Sequence, residues 1–257
     1  MPLFAVNGTE LYYESHGAGP PLVFVHGAGG NHASWWQQVP AFASDHRVIV
    51  YDQRGFGNSP DPDGRGRAAF ADDLAGLLDA LAIERAIVVA QSLGGGAALG
   101  LVQRRPERLR GLVLADTLLG FAEPDELAAR LAETRRQTKD LPQARRVLGH
   151  TTLARNPALA MLYAQISSFN RYAVGTVPGT WPSLIAPEAL AASGVPMLFI
   201  AGAEDVLFPP DCIALMQKRV AGSKLAVIAD VGHSAYFENA AAFNAELRGF
   251  LGGLPRA

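Results

Sequence analysis

Ile87-Val88-Val89-Ala90-Gln91-Ser92-Leu93-Gly94-Gly95-Gly96 decides how the chain is read. An apolar run rich in β-branched residues ends on a serine. Small residues follow at once, and Ala97-Ala98-Leu99-Gly100-Leu101-Val102 then has the composition of a helix. The pattern predicts strand, sharp turn and helix, with a hydroxyl at the apex. A serine held there sits in a strained backbone conformation, and its neighbours must be small or strand and helix would collide. The first N–H groups of the new helix have no partner within it and point to where an oxyanion would form. This suits an attacking nucleophile, provided that the chain also supplies a base. Two other readings stand beside it: a serine that caps the helix, and a glycine turn that cradles a phosphate. The second fails on spacing, because no G-x-G-x-x-G can be read through residues 90–100 and no G-x-x-x-x-G-K-[ST] occurs in the chain.

The rest of the chain weighs toward the nucleophile. Pro21-Leu22-Val23-Phe24-Val25 reads as a short buried strand that empties into His26-Gly27-Ala28-Gly29-Gly30. Bare N–H groups are thereby brought to a strand's C-terminal end, where parallel α/β sheets bind their ligands. Val48-Ile49-Val50-Tyr51 leads into Asp52-Gln53-Arg54-Gly55-Phe56-Gly57-Asn58-Ser59. Asp52 and Arg54 there are expected to be an ion pair pinning a tight turn rather than a catalytic pair. Further on, Pro196-Met197-Leu198-Phe199-Ile200-Ala201 is another buried strand, followed by a loop holding Asp205. Lys224-Leu225-Ala226-Val227-Ile228 precedes Val231-Gly232-His233-Ser234. Asp205 and His233 therefore lie in loops just after strands, on the sheet edge where Ser92 emerges. Of the six histidines, only His233 follows a late strand on a glycine.

With these residues in place, the chain resembles the α/β-hydrolase family over nearly its whole length. The family order is nucleophile, acid, histidine, and Ser92, Asp205 and His233 match it. His26-Gly27 is similar to the family's oxyanion loop, and residues 52–59 to its D-x-R-G-x-G-x-S turn. Gly232-His233 with Glu238 downstream is similar to its histidine loop. One position departs: the elbow signature G-x-S-x-G begins here with Ala90, whose methyl group should crowd the elbow slightly. The resemblance implies an α/β fold, a mostly parallel central sheet flanked by helices with a helical cap inserted after the sixth strand. Residues 1–116 and 193–257 would form the core and 117–192 the cap. It also implies that the backbone N–H groups of Ala28 and Leu93 form the oxyanion hole. Some members carry their acid at the end of the strand after the elbow helix, here Asp116. Asp205 is the preferred acid and Asp116 the alternative.

Composition sets further bounds. The 257 residues suit one α/β domain with an insertion, and 49% hydrophobic against 18% charged residues allows a large core. A formal net charge of −2 without a basic run argues against a nucleic-acid partner. No apolar run reaches membrane-spanning length, and no signal-peptide pattern follows Met1. The lone Cys212 has no internal disulfide partner. A cytoplasmic protein acting on a small-molecule substrate is expected, with a homo-oligomer left open.

The strand–helix alternation breaks after Leu112-Val113-Leu114-Ala115-Asp116. Helices are expected over 125–137, 143–148 and 157–168, in a cap that shapes the pocket and excludes water. Candidate pocket walls are Trp35, Trp36, Phe121, Tyr163, Phe169, Tyr172 and Trp181. Arg130, Arg135, Arg136, Arg145, Arg146, Arg155 and Arg171 also fall in the cap, any of which could meet a substrate carboxylate.

The implied chemistry is acyl transfer to water, with His233 taking the proton of Ser92 and Asp205 holding the imidazole. It calls for no metal or organic cofactor. A serine nucleophile sets aside haloalkane dehalogenases and epoxide hydrolases, which use an aspartate. The short length, compact cap and His26-Gly27-Ala28-Gly29-Gly30-Asn31 loop look most like 3-oxoadipate enol-lactonases, meta-cleavage-product hydrolases and carboxylesterases. Hydrolysis of an ester or lactone in a small carboxylate- or ring-derived substrate is therefore expected. C–C bond hydrolysis and cofactor-free perhydrolysis are alternatives on the same triad. A small-molecule receptor of the same fold is the alternative outside catalysis.

Overall fold

In the computed structural model, which describes residues 2–173 and 175–255, the continuous apolar runs of the sequence become the interior of one sheet. Strands β1 (Leu3–Val6) and β2 (Thr9–His16) form an antiparallel ribbon. Strands β3 (Pro21–Val25), β4 (Arg47–Tyr51), β5 (Ala86–Gln91), β6 (Leu109–Ala115), β7 (Met197–Gly202) and β8 (Lys224–Ile228) follow. The sheet order is β1-β2-β4-β3-β5-β6-β7-β8, with parallel pairing from β4 through β8. Between the strands run α1 (Gln38–Phe42), α2 (Phe70–Ala80) and α3 (Leu93–Arg104). The stretch between β6 and β7 holds α4 (Asp125–Thr138), α5 (Gln143–Val147), α6 (His150–Arg155), α7 (Pro157–Ser167) and α8 (Pro187–Ala192). Helices α9 (Pro210–Arg219), α10 (Ala235–Glu238) and α11 (Ala240–Gly252) complete the chain. Among the described residues no helix is long and apolar enough to cross a membrane.

Side-chain alternation splits the core into two layers. Val23, Val25, Val88, Ala90, Leu112 and Leu114 pack on one face with Leu74, Leu77 and Leu99 of α2 and α3. Leu22, Phe24, Ile87, Val89, Val113 and Leu198 pack on the other with Phe42, Phe243 and Leu247 of α1 and α11. Strands covered on both faces read as unbroken apolar runs. Each large aliphatic or aromatic side chain so buried contributes about 1.5–3 kcal/mol.

The chain leaves β3 toward β4 on one side of the sheet and then returns to β5 on the other. This reversal creates the crevice at which α/β sheets bind ligands. Val25 pairs with Ala90 there, so the loops after β3 and β5 emerge side by side.

The segment between β6 and β7 lies across this edge. Tyr163 packs over Gly29, Tyr172 over Gly55 and Trp181 over Gly96. Its helices α4, α5 and α7 occupy the stretches expected from composition; α6 and α8 are additional. Helix α6 begins on partners that its own residues do not reveal. Carboxylates distant in sequence hold its start: the N–H of Gly149 donates to Glu238 Oε2 (2.7 Å) and that of Thr151 to Glu204 Oε2 (2.9 Å).

The expected Asp52–Arg54 pair is not formed. Arg54, fully buried, donates from Nε and Nη2 to the two carboxylate oxygens of Asp73 on α2 (2.6 and 2.7 Å). Asp52 instead accepts from the backbone N–H groups of His32 (2.7 Å) and Asn58 (2.8 Å). A planar guanidinium matches a carboxylate held square to it, and the helix presents Asp73 that way. Asp73→Ala would leave the buried guanidinium only the longer ionic contact to Asp61 (3.7 Å) and is expected to cost about 3–5 kcal/mol in a urea titration. A loss below 1 kcal/mol would mean that the pair is dispensable.

Candidate active site

Ser92 follows β5 directly and precedes α3 with φ 47° and ψ −114°. A non-glycine residue at positive φ carries of order 1–3 kcal/mol of strain, held by its surroundings. Here the Ser92 N–H donates to Ala115 O (3.0 Å), and Ser92 O accepts from Thr117 Oγ1 (2.7 Å) and the Gly95 N–H (2.9 Å). The side chain makes no capping bond to α3. Its Oγ lies instead 2.8 Å from His233 Nε2. Ala90 at the head of the elbow is wholly buried among the core side chains, and Ser92 keeps its positive φ beside it.

His233 and Asp205 come from the loops after β8 and β7. His233 Nδ1 stands 2.9 Å from Asp205 Oδ2, so a proton on Nδ1 leaves the Nε2 lone pair for the serine hydroxyl. The other carboxylate oxygen, Asp205 Oδ1, accepts the N–H groups of Leu207 (2.7 Å) and Phe208 (3.0 Å). All three side chains are buried or nearly so. Among the described residues Asp116 makes no hydrogen bond to the side chains of Ser92, His233 or Asp205. Its carboxyl accepts the N–H groups of Gly202 (2.7 Å) and Ala235 (3.2 Å), which ties the end of β6 to β7 and α10. Burial, reinforced by the charge of Asp205, pushes the Asp116 pKa well above the ordinary carboxyl range.

Two polar side chains seat the histidine loop. Gln91 Nε2 donates to His233 O (2.7 Å). Glu238 Oε1 accepts the N–H groups of Gly232 (2.9 Å) and Ser234 (3.2 Å), on either side of the imidazole. Burial raises the Glu238 carboxyl pKa despite these donors. The sequence alone assigns Gln91 no role. Its signal was a lone amide ending an otherwise apolar strand.

The loop after β3 approaches Ser92 closely. A Cβ on Gly27 would strike Gln91 Oε1 and stand 2.9 Å from Ser92 Cβ. The N–H groups of Ala28 and Leu93 have no acceptor among the described residues. His26, fully buried, braces this loop: its Nδ1 reaches Gly27 O (2.8 Å), and its Nε2 accepts the N–H of Gln53 (3.0 Å). Burial lowers the His26 pKa to about 4, so the imidazole stays neutral and its lone pair stays available.

Comparison with known proteins fits this arrangement. Residues 20–240 match the family model for the alpha/beta hydrolase fold. The chain belongs to the α/β-hydrolase family. It is 34% identical over 260 residues to a 2-hydroxymuconate semialdehyde hydrolase of Pseudomonas sp. (strain CF600), covering 95% of this chain and 91% of that protein. It is 30% identical over 264 residues to a protein of Azorhizobium caulinodans named "Putative carbamate hydrolase RutD", covering 98% of both. Among solved structures, a thermophilic esterase from Thermogutta terrifontis superposes with a TM-score of 0.80 at 26% identity, covering 97% of this chain and 96% of that one.

The hydrolase has a cavity of about 310 Å³ lined by Leu148, Ala160, Tyr163, Arg171 and Tyr172 among others. Tyr163 is shared between this cavity and the loop after β3, its hydroxyl lying against Gly29, while Ser92, Asp205 and His233 are not among the cavity's lining residues. Burial pushes the Tyr163 phenol up to about 12, so it remains a hydrogen-bond donor. The other aromatic candidates sit elsewhere. Trp35 is fully enclosed between Phe24 (4.8 Å) and Tyr236 (4.2 Å), and Phe121 stacks on Phe199 (6.2 Å) in the core. Trp36 and Phe169 face solvent at 48% and 73% exposure. Trp181 packs between Gly96 and Phe70. Arg130, Arg135 and Arg136 are taken up in surface ion pairs with Asp211, Glu123 and Glu133. Among the described residues no cluster of three or more His, Cys, Asp or Glu is arranged to hold a metal ion.

Two measurements test the loop after β3. Gly27→Ala is expected to cost about 1–3 kcal/mol of stability by urea titration, because its methyl group has nowhere to go. Wild-type stability would show that the approach of the two loops is slack. His26 binds its proton less readily in the folded chain (about 4) than at the ordinary value of 6.5. Its contribution is therefore present above pH 6.5 and lost as pH falls toward 4. In His26→Gln, which cannot titrate, the acid-side loss of stability should be shallower by up to about 1.4 kcal/mol per pH unit. Parallel curves for the two proteins would contradict this.

Proposed function

We propose that this α/β hydrolase cleaves an ester or lactone bond of a small substrate through an acyl-enzyme on Ser92. One observation carries the reading. The Ser92 hydroxyl sits 2.8 Å from an imidazole nitrogen, and the N–H groups of Leu93 at the elbow and Ala28 in the loop after β3 have no acceptor among the described residues. In the proposed reaction His233 Nε2 takes the hydroxyl proton as Ser92 Oγ attacks the carbonyl carbon. The N–H groups of Ala28 and Leu93 receive the negative oxygen, each worth about 3–4 kcal/mol to the transition state. Asp205 keeps the proton on Nδ1 and stabilises the imidazolium. The imidazolium then protonates the leaving oxygen, the C–O bond breaks, and the alcohol departs. In the second half His233 deprotonates a water, which attacks the acyl carbon and returns Ser92 as the hydroxyl.

Arg171 in the cavity lining favours a substrate that also carries a carboxylate. A second reading, hydrolysis of a C–C bond in a ring-cleavage product, is favoured by the 34% identity to the 2-hydroxymuconate semialdehyde hydrolase.

Steady-state turnover of aryl esters, small lactones, aryl carbamates and a meta-cleavage dienoate tests both readings. Ser92→Ala should lose about 10⁴–10⁶ in rate on any substrate turned over. Asp205→Asn should lose about 10⁴ in kcat. Asp116→Asn should instead lose about 1–3 kcal/mol of stability, because its new NH₂ group would meet a backbone donor. Equal rates for wild type and Ser92→Ala would sink the acyl-enzyme mechanism. Turnover of the dienoate alone would select the second reading.

A further inference from the structure

One residue that holds the loop after β3 in place belongs to the segment inserted between β6 and β7. Asn170 follows the end of α7, and each polar atom of its amide is engaged with the core. Oδ1 accepts the N–H of Gly57 (3.1 Å) and one N–H of Asn31 Nδ2 (3.2 Å). Nδ2 donates to Gly30 O (3.1 Å). The orientation of this amide follows from its partners. A flipped amide would set its NH₂ against two donors and its oxygen against a carbonyl.

Asn31 completes the clamp from the core side and is 2% exposed. Its Nδ2 also donates to Ile166 O near the end of α7 (3.0 Å), and its Oδ1 accepts the N–H of Ala33 (3.0 Å). The N–H of Gly30 closes a turn on Gly27 O (3.0 Å). Gly30 is thus gripped on two sides: its N–H by the turn that contains Ala28, its carbonyl by Asn170. The Ala28 N–H hangs on that turn with no acceptor among the described residues.

We infer that Asn170 is a positioning residue for the oxyanion hole, acting through Gly30 to fix the direction of the Ala28 N–H. The inference rests on the acyl-enzyme reading above. Asn170 touches no reacting atom. It transmits the seating of the inserted segment to a donor on which transition-state binding depends. Losing an oxyanion donor outright costs about 10²–10³ in kcat, and a misplacement of about 1 Å can cost 10². Loosening the clamp should therefore cost about tenfold to a hundredfold in kcat. KM should change little, because the ground-state carbonyl gains less from the hole than the oxyanion does.

The test compares Asn170→Ala, Asn170→Asp and Arg67→Ala in the full chain, with wild type and Ser92→Ala alongside. Asn170→Asp keeps the acceptor for Gly57 and Asn31 but has no donor for Gly30 O and sets a carboxylate oxygen against it. Arg67 donates to the carbonyls of Val177 and Gly179, a different bond between the inserted segment and the core. Both Asn170 variants should lose tenfold or more in kcat with KM within about threefold. Arg67→Ala should keep kcat within twofold even if its melting temperature falls. Amide hydrogen exchange gives a readout without turnover. Residues 27–31 should exchange at least tenfold faster in Asn170→Ala, and unchanged in Arg67→Ala.

Wild-type kcat in Asn170→Asp, or a loss confined to KM, would overturn the inference. So would unchanged exchange over residues 27–31. If Ser92→Ala kept full activity, the acyl-enzyme reading and the oxyanion role would fall together. Retained kcat in the Asn170 variants beside a collapsed Ser92→Ala would refute the positioning role alone.

Discussion

The register of β3 against β5 is the constraint on which the site depends. Val25 opposite Ala90 sends two loops out of neighbouring strands at the same level. The first must then pass Gln91 and Ser92 with no side chain at Gly27. A slip of one residue would turn every side chain of β5 to the other face of the sheet. Buried apolar layers on both faces make such a slip costly. The strain at Ser92 is sustained in the same way, by the bonds from Ala115, Thr117 and Gly95 that surround it. The core holds the elbow bent, and the elbow presents the hydroxyl.

Around that point several buried polar side chains are committed to holding the triad. Gln91 reaches the carbonyl of His233, Glu238 gathers the N–H groups flanking it, and Asp205 is fixed by two N–H donors while it faces the imidazole. Unpartnered donors are costly inside a protein. The free N–H groups of Ala28 and Leu93 therefore stand out against a neighbourhood whose other polar groups are largely matched. Asp116 shows the same logic from the opposite side. It sits near the triad, yet both its oxygens are committed to backbone donors that stitch three elements together.

Much of this was legible in the sequence because it is written in local terms. Short apolar runs ending on glycine or serine marked the strand ends, and the structure brings Ser92, Asp205 and His233, each from such an end, into one line of hydrogen bonds. What escaped is set by distant partners. Asp52 and Arg54 are two residues apart and invited pairing. Asp73, nineteen positions from Arg54, takes the guanidinium because a helix presents its carboxylate to both nitrogens. Helix α6 starts on carboxylates borrowed from α10 and from the loop after β7. The aromatic residues could not be sorted into core, surface and cavity, because composition does not say which side of a segment faces inward. Trp35 and Phe121 went to the core and Phe169 to solvent for that reason.

The inserted segment is a single continuous excursion between two adjacent parallel strands, and it contributes none of the three side chains in the Ser92–His233–Asp205 line. Such an arrangement favours exchange by recombination. A foreign segment could be spliced between β6 and β7 and bring its own pocket to an unaltered elbow. The amide at Asn170 limits that freedom. A graft whose last long helix did not end on an asparagine at this offset would deliver its pocket and leave the carbonyl of Gly30 unheld. Substrate preference and maintenance of rate would then be coupled at that side chain, as they are at Thr117, whose hydroxyl holds the Ser92 carbonyl.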